Sequence, residues 1–360
     1  MASPALAAGP PRVAAVSYLV VNGKTGEVLA ARNAHARVPI ASITKLMTVL
    51  VALEHVQLTD VVSVKASAAG VGESSIDLRP GEHLTVRDLV KAALIQSAND
   101  AAYALAAYAG GGDVAAFVRE MNDKARALRL RDTHFVRPDG LDAPNEHSSA
   151  ADVTRLARIA MHSQEIRDVV RLTSDTIAGG RALHTWNDLL GTFPGLIGVK
   201  TGHTGAAGWC QVAAARRPGF TIYTTILGSP SRAQRNVDLS ALLRWGLSRY
   251  RVSSVIRPGR TYALAQAGYG RAPLRLVAAS RVRRAVRVDR LLVARIVATA
   301  AVKLPVRAGE RLGVIRVYSG KRLVASRPLV AARSIERPGL AGRVGFYAGR
   351  TAKHIWSWFT

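Results

Sequence analysis

Hydrophobic alternation opens the chain. Val16–Val21 and Glu27–Ala31 read as two short strands, with Asn22-Gly23 between them as a hairpin signal. The period then becomes helical. Leu46, Leu50 and Leu53 fall on one face of a segment that runs to about Val56. A second helix is predicted over Thr85–Gln96, with Thr85 and Asp88 as a variant capping box. A third runs from about Asp100 to Tyr108 and stops at Gly110-Gly111-Gly112. Val114–Leu128 and Ala150–Met161 extend the helical stretch. Strand patterns return at Leu196–Thr201, Trp209–Ala215 and Phe220–Leu227, the last two joined by Arg216–Gly219, and Ala241–Arg249 reads as a closing helix. Strands, then helices, then strands imply an α/β (α+β) domain whose sheet is assembled from both ends around a helical block.

Beyond Pro258-Gly259 the texture shifts to short alternating runs, such as Leu274–Ala278, Val286–Val288 and Val314–Val317, with Ser319-Gly320 at a hairpin position. This is a smaller all-β domain. The expected division is 13–250 for the first domain, 251–336 for the β-rich one and 337–360 for a tail. Ala5-Leu6-Ala7 resembles the small-residue end of a cleavage site, so 1–12 is read as the remnant of a signal peptide.

Charge sharpens this division. Residues 1–250 carry 27 basic and 21 acidic side chains, whereas 251–360 carry 23 and 3. A bias of that kind points to an anionic partner for the C-terminal part, or to arginine spread over solvated faces. The tail joins charge to amphipathicity. At helical spacing Val344, Ala348, Thr351, Ile355, Trp358 and Phe359 share a face with Tyr347 beside them, while Arg343, Arg350, Lys353 and His354 lie opposite. Trp356 and Trp358 suit a membrane interface, so the tail is expected to lie on an anionic membrane surface. The alternative packs that face on the β-domain. No apolar run reaches the roughly 18 residues of a span, and Arg295 breaks the best one, Leu291–Val302. One cysteine, Cys210, excludes an intrachain disulfide.

Three short motifs carry candidate chemistry. In Ser42-Ile43-Thr44-Lys45 the serine and lysine are one helical turn apart, so the amine can reach the hydroxyl and act as its base. Ser97-Ala98-Asn99 lies on a turn between two helices, where a hydroxyl can relay a proton and an amide can hold a lysine. Lys200-Thr201-Gly202 ends a strand; its lysine and hydroxyl suit a carboxylate, and its glycine permits close approach of a ligand. Each alone is also an ordinary helix face, helix cap or strand end. Their order and context together match the S-x-x-K, S-x-N and K-T-G set of penicillin-binding proteins.

The sequence therefore resembles the low-molecular-mass penicillin-binding proteins, the D-alanyl-D-alanine carboxypeptidases of peptidase family S11. The similarity extends to the Asn22–Leu29 hairpin, to Pro39–Thr48, to Ser97–Ala102 and to Lys200–Thr204 with Ala207-Gly208. It covers about 16–250, and more loosely Pro305–Glu310 and Leu312-Gly313 in the β-rich part. One departure is Arg137, where the family pattern carries Asn. The resemblance implies the penicillin-binding/β-lactamase-like transpeptidase fold, an antiparallel sheet plus a helical block. It implies a serine carboxypeptidase that takes the last D-alanine from the peptidoglycan stem peptide and is acylated by β-lactam antibiotics. Ser42 would be nucleophile, Lys45 base, Ser97 proton relay and Asn99 the positioner of Lys45 and substrate. Lys200 and Thr201 would bind the terminal carboxylate, with Gly202 and His203 completing the substrate-binding segment. The backbone N–H groups of Ser42 and His203 would form the oxyanion hole. The expected location is extracytoplasmic, on the outer face of the cytoplasmic membrane.

Two alternatives differ in class. A class A β-lactamase needs a deacylating glutamate in an E-x-x-x-N element, and none stands between Ser97 and Lys200. A catalytically silent wall- or lipid-binding protein would not need the full motif set. No cofactor or metal is expected, since H-E-x-x-H is missing and His134, His147 and His184 read as surface or loop residues. Nucleic acid is not an expected partner, because no aromatic-interleaved basic motif accompanies the charge. Cys210 reads as a small buried hydrophobe.

Overall fold

The computed structural model describes residues 9–356, apart from the side chains of Arg350 and of 352–356. The tail positions Trp358 and Phe359 and the Ala5-Leu6-Ala7 segment lie outside the described residues. The chain divides into two compact units between Ser248 and Arg249.

In the first unit, β1 (Ser17–Asn22) and β2 (Val28–Arg32) form the opening hairpin. A 3-10 turn, Ala41–Thr44, leads into α1 (Lys45–Ala52). A small hairpin of β3 (Val61–Ser63) and β4 (His83–Thr85) encloses the short α2 (Ala66–Ala69). Then come α3 (Val86–Lys91), α4 (Asn99–Ala109), α5 (Val114–Ala127), α6 (Ala150–Ala160) and α7 (Gln164–Val170). A hairpin of β5 (Ser174–Ile177) and β6 (Arg181–His184) precedes β7 (Leu196–Thr204), β8 (Gly208–Arg217), β9 (Phe220–Ser229) and α8 (Arg232–Ser248).

The main sheet is antiparallel in the order β2-β1-β9-β8-β7. Its strands do come from both ends of the unit. All six residues of β1 are buried, because α6 and α8 both pack on this sheet. In the helical block α1 is buried nearly all round and lies against α4, whose Ala101, Ala102, Ala104 and Ala106 permit close approach. Capping side chains fix the helix starts: Thr85 accepts from Asp88 N at 3.1 Å, Asp113 from Ala116 N at 2.9 Å and Ser149 from Asp152 N at 3.2 Å.

Two expected helices change form. Ser42 sits in the 3-10 turn, one residue after Ala41 at φ +50°, and α1 begins only at Lys45. The helix expected over Thr85–Gln96 ends in a π-helical turn, Ala92–Gln96, and exits through Ser97 at φ +65°. Left-handed conformations in non-glycine residues cost roughly 1–3 kcal/mol each and cluster at functional sites.

The second unit pairs β10 (Tyr250–Ile256) with β13 (Val282–Arg287). Its larger antiparallel sheet contains β11 (Thr261–Ala265), β12 (Leu274–Ala278), β14 (Leu292–Ala298), β15 (Arg311–Ser319) and β16 (Arg322–Ala331), in the order β11-β12-β16-β15-β14. Ile256, Leu274, Leu276, Ile315 and Leu329 form its core. The chain closes with α9 (Leu340–Trp356).

Asp100 holds the loop that follows α2. Fully buried, it accepts from Ser75 Oγ at 2.7 Å, Ile76 N at 3.2 Å and Leu78 N at 3.1 Å. Asp100→Ala strands these donors. Each unsatisfied buried group costs about 1–3 kcal/mol, so the variant should lose about 3 kcal/mol of stability. Its thermal midpoint, followed by circular dichroism, should fall by roughly 6–12 °C.

Candidate active site

The three motifs meet at one cleft of about 350 Å³ in the first unit. Ser42 reaches its wall from the 3-10 turn, Ser97 from the turn between the π-helical segment and α4, and Thr201, Gly202 and His203 from β7.

Lys45 is the centre of the arrangement. It is wholly buried, and its Nζ bonds Ser42 Oγ at 2.7 Å, Asn99 Oδ1 at 2.6 Å and the Asp139 carbonyl at 2.6 Å. Burial lowers its pKa from 10.5 to about 7, against the opposing pull of Asp139, Glu146, Asp100 and Glu73. Near neutrality the amine is therefore often unprotonated and can take the Ser42 proton. Asn99 is oriented for its part by donating from Nδ2 to Gly72 O at 2.9 Å.

A second lysine lies across the cleft. Lys200 Nζ donates to Ser97 Oγ at 2.7 Å and to Thr201 O at 2.9 Å. It too is buried, with a pKa held well below the usual lysine range by burial first and then by the charges of Lys45 and Arg235. Ser97 is thus tied to a polarised amine, as a proton relay requires. The Lys200 head faces Ser97 and its own strand, while Thr201 faces the cleft.

Gly202 has a role that its motif does not announce. A Cβ there would stand 2.6 Å from Ile40 O and 3.1 Å from Ser42 N. Besides lining the cleft, it permits the close approach of the nucleophile turn. Gly140 grips the same turn from another side: its φ is +76°, and a Cβ would lie 2.2 Å from Ala41 O. His203 exposes its side chain and lays its ring on Trp209 at a centroid distance of 4.0 Å.

Two side chains that no motif marks enter the site. Arg235, in the first turns of α8, lines the cleft with only 1 % of its side chain exposed. Asp188 (3.1 Å) and Asn236 (2.8 Å) hold its guanidinium, and burial lowers its pKa to about 10, so it stays charged at neutral pH. A lone arginine has no periodic signal, and the expected closing helix began six residues later, at Ala241. Glu146 lies behind the nucleophile turn and accepts from Thr44 Oγ1 at 3.0 Å; burial lifts its pKa to about 7. Arg137, where the family pattern has Asn, forms a two-point pair with buried Asp139 at 3.0 and 2.8 Å. It steadies the turn whose carbonyl receives Lys45.

A serine hydroxyl on a buried amine, with a second serine–lysine pair facing it across a cleft, defines a serine acyl-transfer hydrolase. The family model described as D-alanyl-D-alanine carboxypeptidase matches residues 5–231. The chain belongs to that family of serine peptidases, S11. It is 30% identical over 368 residues to the D-alanyl-D-alanine carboxypeptidase DacD of Salmonella typhimurium, covering 96% of this chain and 94% of the relative. It is 34% identical over 267 residues to the D-alanyl-D-alanine carboxypeptidase of Streptomyces sp. strain K15, covering 69% and 92%. The crystal structure of penicillin binding protein 6B from Escherichia coli superposes with a TM-score of 0.69 at 30% identity, over 91% of this chain and 98% of that one. That of the Streptomyces K15 DD-transpeptidase gives 0.64 at 32%, over 67% and 100%.

The lowered lysine pKa sets a pH dependence. Below about 7 Lys45 is protonated and cannot take the Ser42 proton; above it the free amine dominates. The rate of acylation by a fluorescent penicillin should rise with pH and be half-maximal near 7. A rate that is flat between pH 6 and 8 would remove Lys45 as the base.

Proposed function

We propose that this chain removes the terminal D-alanine from peptidoglycan stem pentapeptides through an acyl-enzyme on Ser42, and that β-lactams trap it at that serine. The observation that carries the reading is the 2.7 Å bond between Ser42 Oγ and a wholly buried Lys45 whose other acceptors are fixed. Ser42 Oγ attacks the carbonyl between the two D-alanines, and its proton passes to Lys45. The backbone N–H groups of Ser42 and His203 take the oxyanion; the closeness of Gly202 to Ser42 N supports their proximity. Collapse breaks the peptide bond and expels D-alanine, which receives its proton through Ser97. Water then attacks the ester, gives its proton back through the same groups and frees Ser42 and the shortened stem.

β7 is the edge strand of its sheet, so an extended stem peptide can lie along it and use its outward backbone groups. Thr201 and Arg235 face the cleft and suit the substrate's terminal carboxylate, with the Lys200 amine behind them on Ser97. Ser42→Ala should abolish both peptide turnover and covalent penicillin labelling. Amidating the terminal D-alanine should lower kcat/KM by about 1.5–3 kcal/mol, the worth of one charge-assisted hydrogen bond. Equal turnover of acid and amide in a coupled D-alanine assay would remove the carboxylate role from Thr201, Lys200 and Arg235.

The enzyme would work outside the cytoplasm, where its substrate is, and α9 would hold it on an anionic membrane surface. Leu340, Val344 and Tyr347 of α9 are more than half exposed, and Ala348 and Thr351 are exposed with them. Phe346 leans inward, edge-on to Tyr269 at 5.7 Å. An apolar face left open on a helix with basic neighbours suits the headgroup region of a bilayer. Protein truncated after Pro338 should sediment with anionic vesicles less than the full chain does. Equal sedimentation would move the anchor to the basic β-rich unit.

A further inference from the structure

The first unit carries a second concavity, of about 380 Å³, that the peptidase reaction does not use. The turns β1–β2 and β8–β9 and the end of α6 form it. Lys24, Arg158, His162, Arg216 and Arg217 line it, over a floor that includes Tyr223, and no acidic side chain does. Arg216 and Trp209 are seven residues apart on β8, roughly 23 Å along a strand, and Trp209 lines the peptidase cleft. The two sites are therefore separate.

Two of the cationic heads are held by backbone acceptors. Arg158 is anchored by Nε and Nη2 on Gly23 O, at 3.2 and 2.9 Å. Arg217 is anchored by Nη1 on Pro194 O at 2.7 Å. Arg167, beside them, donates to His162 O at 2.7 Å. The charges of Arg158 and Arg167 both reach the Tyr223 hydroxyl, where they oppose the upward push of burial on its pKa. Acidic groups on the same elements are placed elsewhere: Glu165 accepts from Ser163, Asp168 pairs with Arg171, and Glu27 does not line the cavity. A concave site of one sign focuses its field on a ligand.

We infer that this pocket binds a phosphate-type oxyanion, free or as the phosphate ester of a larger molecule. The geometry favours phosphate over carboxylate. A carboxylate presents two oxygens in one plane and is satisfied by one guanidinium fork. Here the donors arrive from three elements, and a phosphate has three acceptor oxygens and up to two charges to meet them. A ligand held there leaves the peptidase cleft open.

The test uses the full chain and inorganic phosphate, with glycerol 3-phosphate as the ester probe, followed by ³¹P line broadening at fixed ionic strength. Lys24 and Arg216 are exposed, so Lys24→Ala/Arg216→Ala should fold normally. That variant should bind phosphate at least about tenfold more weakly, the effect of losing one charge-assisted contact or more. The control Lys321→Ala/Arg322→Ala removes two exposed charges from the tip of the β15–β16 hairpin and should bind as the wild type does. Penicillin labelling should be unchanged in both. Phosphatidylglycerol vesicles that displace phosphate where phosphatidylcholine vesicles do not would assign the ester to a lipid headgroup; glycerol 3-phosphate that binds while vesicles fail to compete would assign it to a soluble ester. Unaltered phosphate binding in the pocket variant overturns the inference, as does an equal loss in the two variants, which would reduce the effect to bulk charge.

Discussion

Everything in the active site hangs on the placement of one amine. Lys45 Nζ meets acceptors from three separate stretches: the nucleophile turn through Ser42, the start of α4 through Asn99 and the 136–146 loop through Asp139 O. Burial costs an ammonium several kcal/mol unless it is paired or neutralised. The fold uses both routes at once. It supplies enough acceptors to hold the group in place, and enough desolvation to bring its proton affinity down to physiological pH. Each supporting feature then has a reason. The π-helical turn delivers Asn99, Arg137 steadies the Asp139 turn, and Glu146 braces Thr44 one residue before Lys45.

The site also concentrates basic side chains. Lys45, Lys200 and Arg235 are all buried, and each lowers or feels the pKa of another. Such a cluster is unfavourable in the empty enzyme and becomes favourable when an anionic group enters. A substrate ending in a carboxylate supplies that group, and so does the acid of a β-lactam. Burial keeps the base unprotonated, and the fixed charge of Arg235 draws the ligand.

Much of this was legible in the sequence, and the remainder was hidden for physical reasons. The hairpin at Asn22-Gly23, the capped helices and the three β7–β9 strands follow local periodicity and turn chemistry, which one segment is enough to express. Ser42-Ile43-Thr44-Lys45, Ser97-Ala98-Asn99 and Lys200-Thr201-Gly202 were readable as short local motifs, and the structure brings all three to one cleft. The 3-10 turn and the π-helical exit were not, since Ala41 and Ser97 adopt left-handed angles that their own propensities disfavour and that only tertiary packing imposes. Arg235 and Glu146 escaped because a buried charge is visible only once its surroundings exist. The run Leu291–Val302, too short and too broken by Arg295 for a membrane span, contains β14. The structure pairs the strand with β15 on one side only and leaves Val293 and Val297 about half exposed.

The absent side chains of Gly140 and Gly202 have a mechanical consequence. With no Cβ on either, backbone closes on the nucleophile turn from two directions, and the serine is left no path of retreat. Nucleophile turn and edge strand are thus packed backbone to backbone as one wall of the cleft. The facing wall is the 72–78 loop with Glu73 and Ser74 at its rim, which Asp100 tethers from below. A side chain at either glycine would drive the serine away from the strand it works beside, so the reach of the nucleophile is set by two absences.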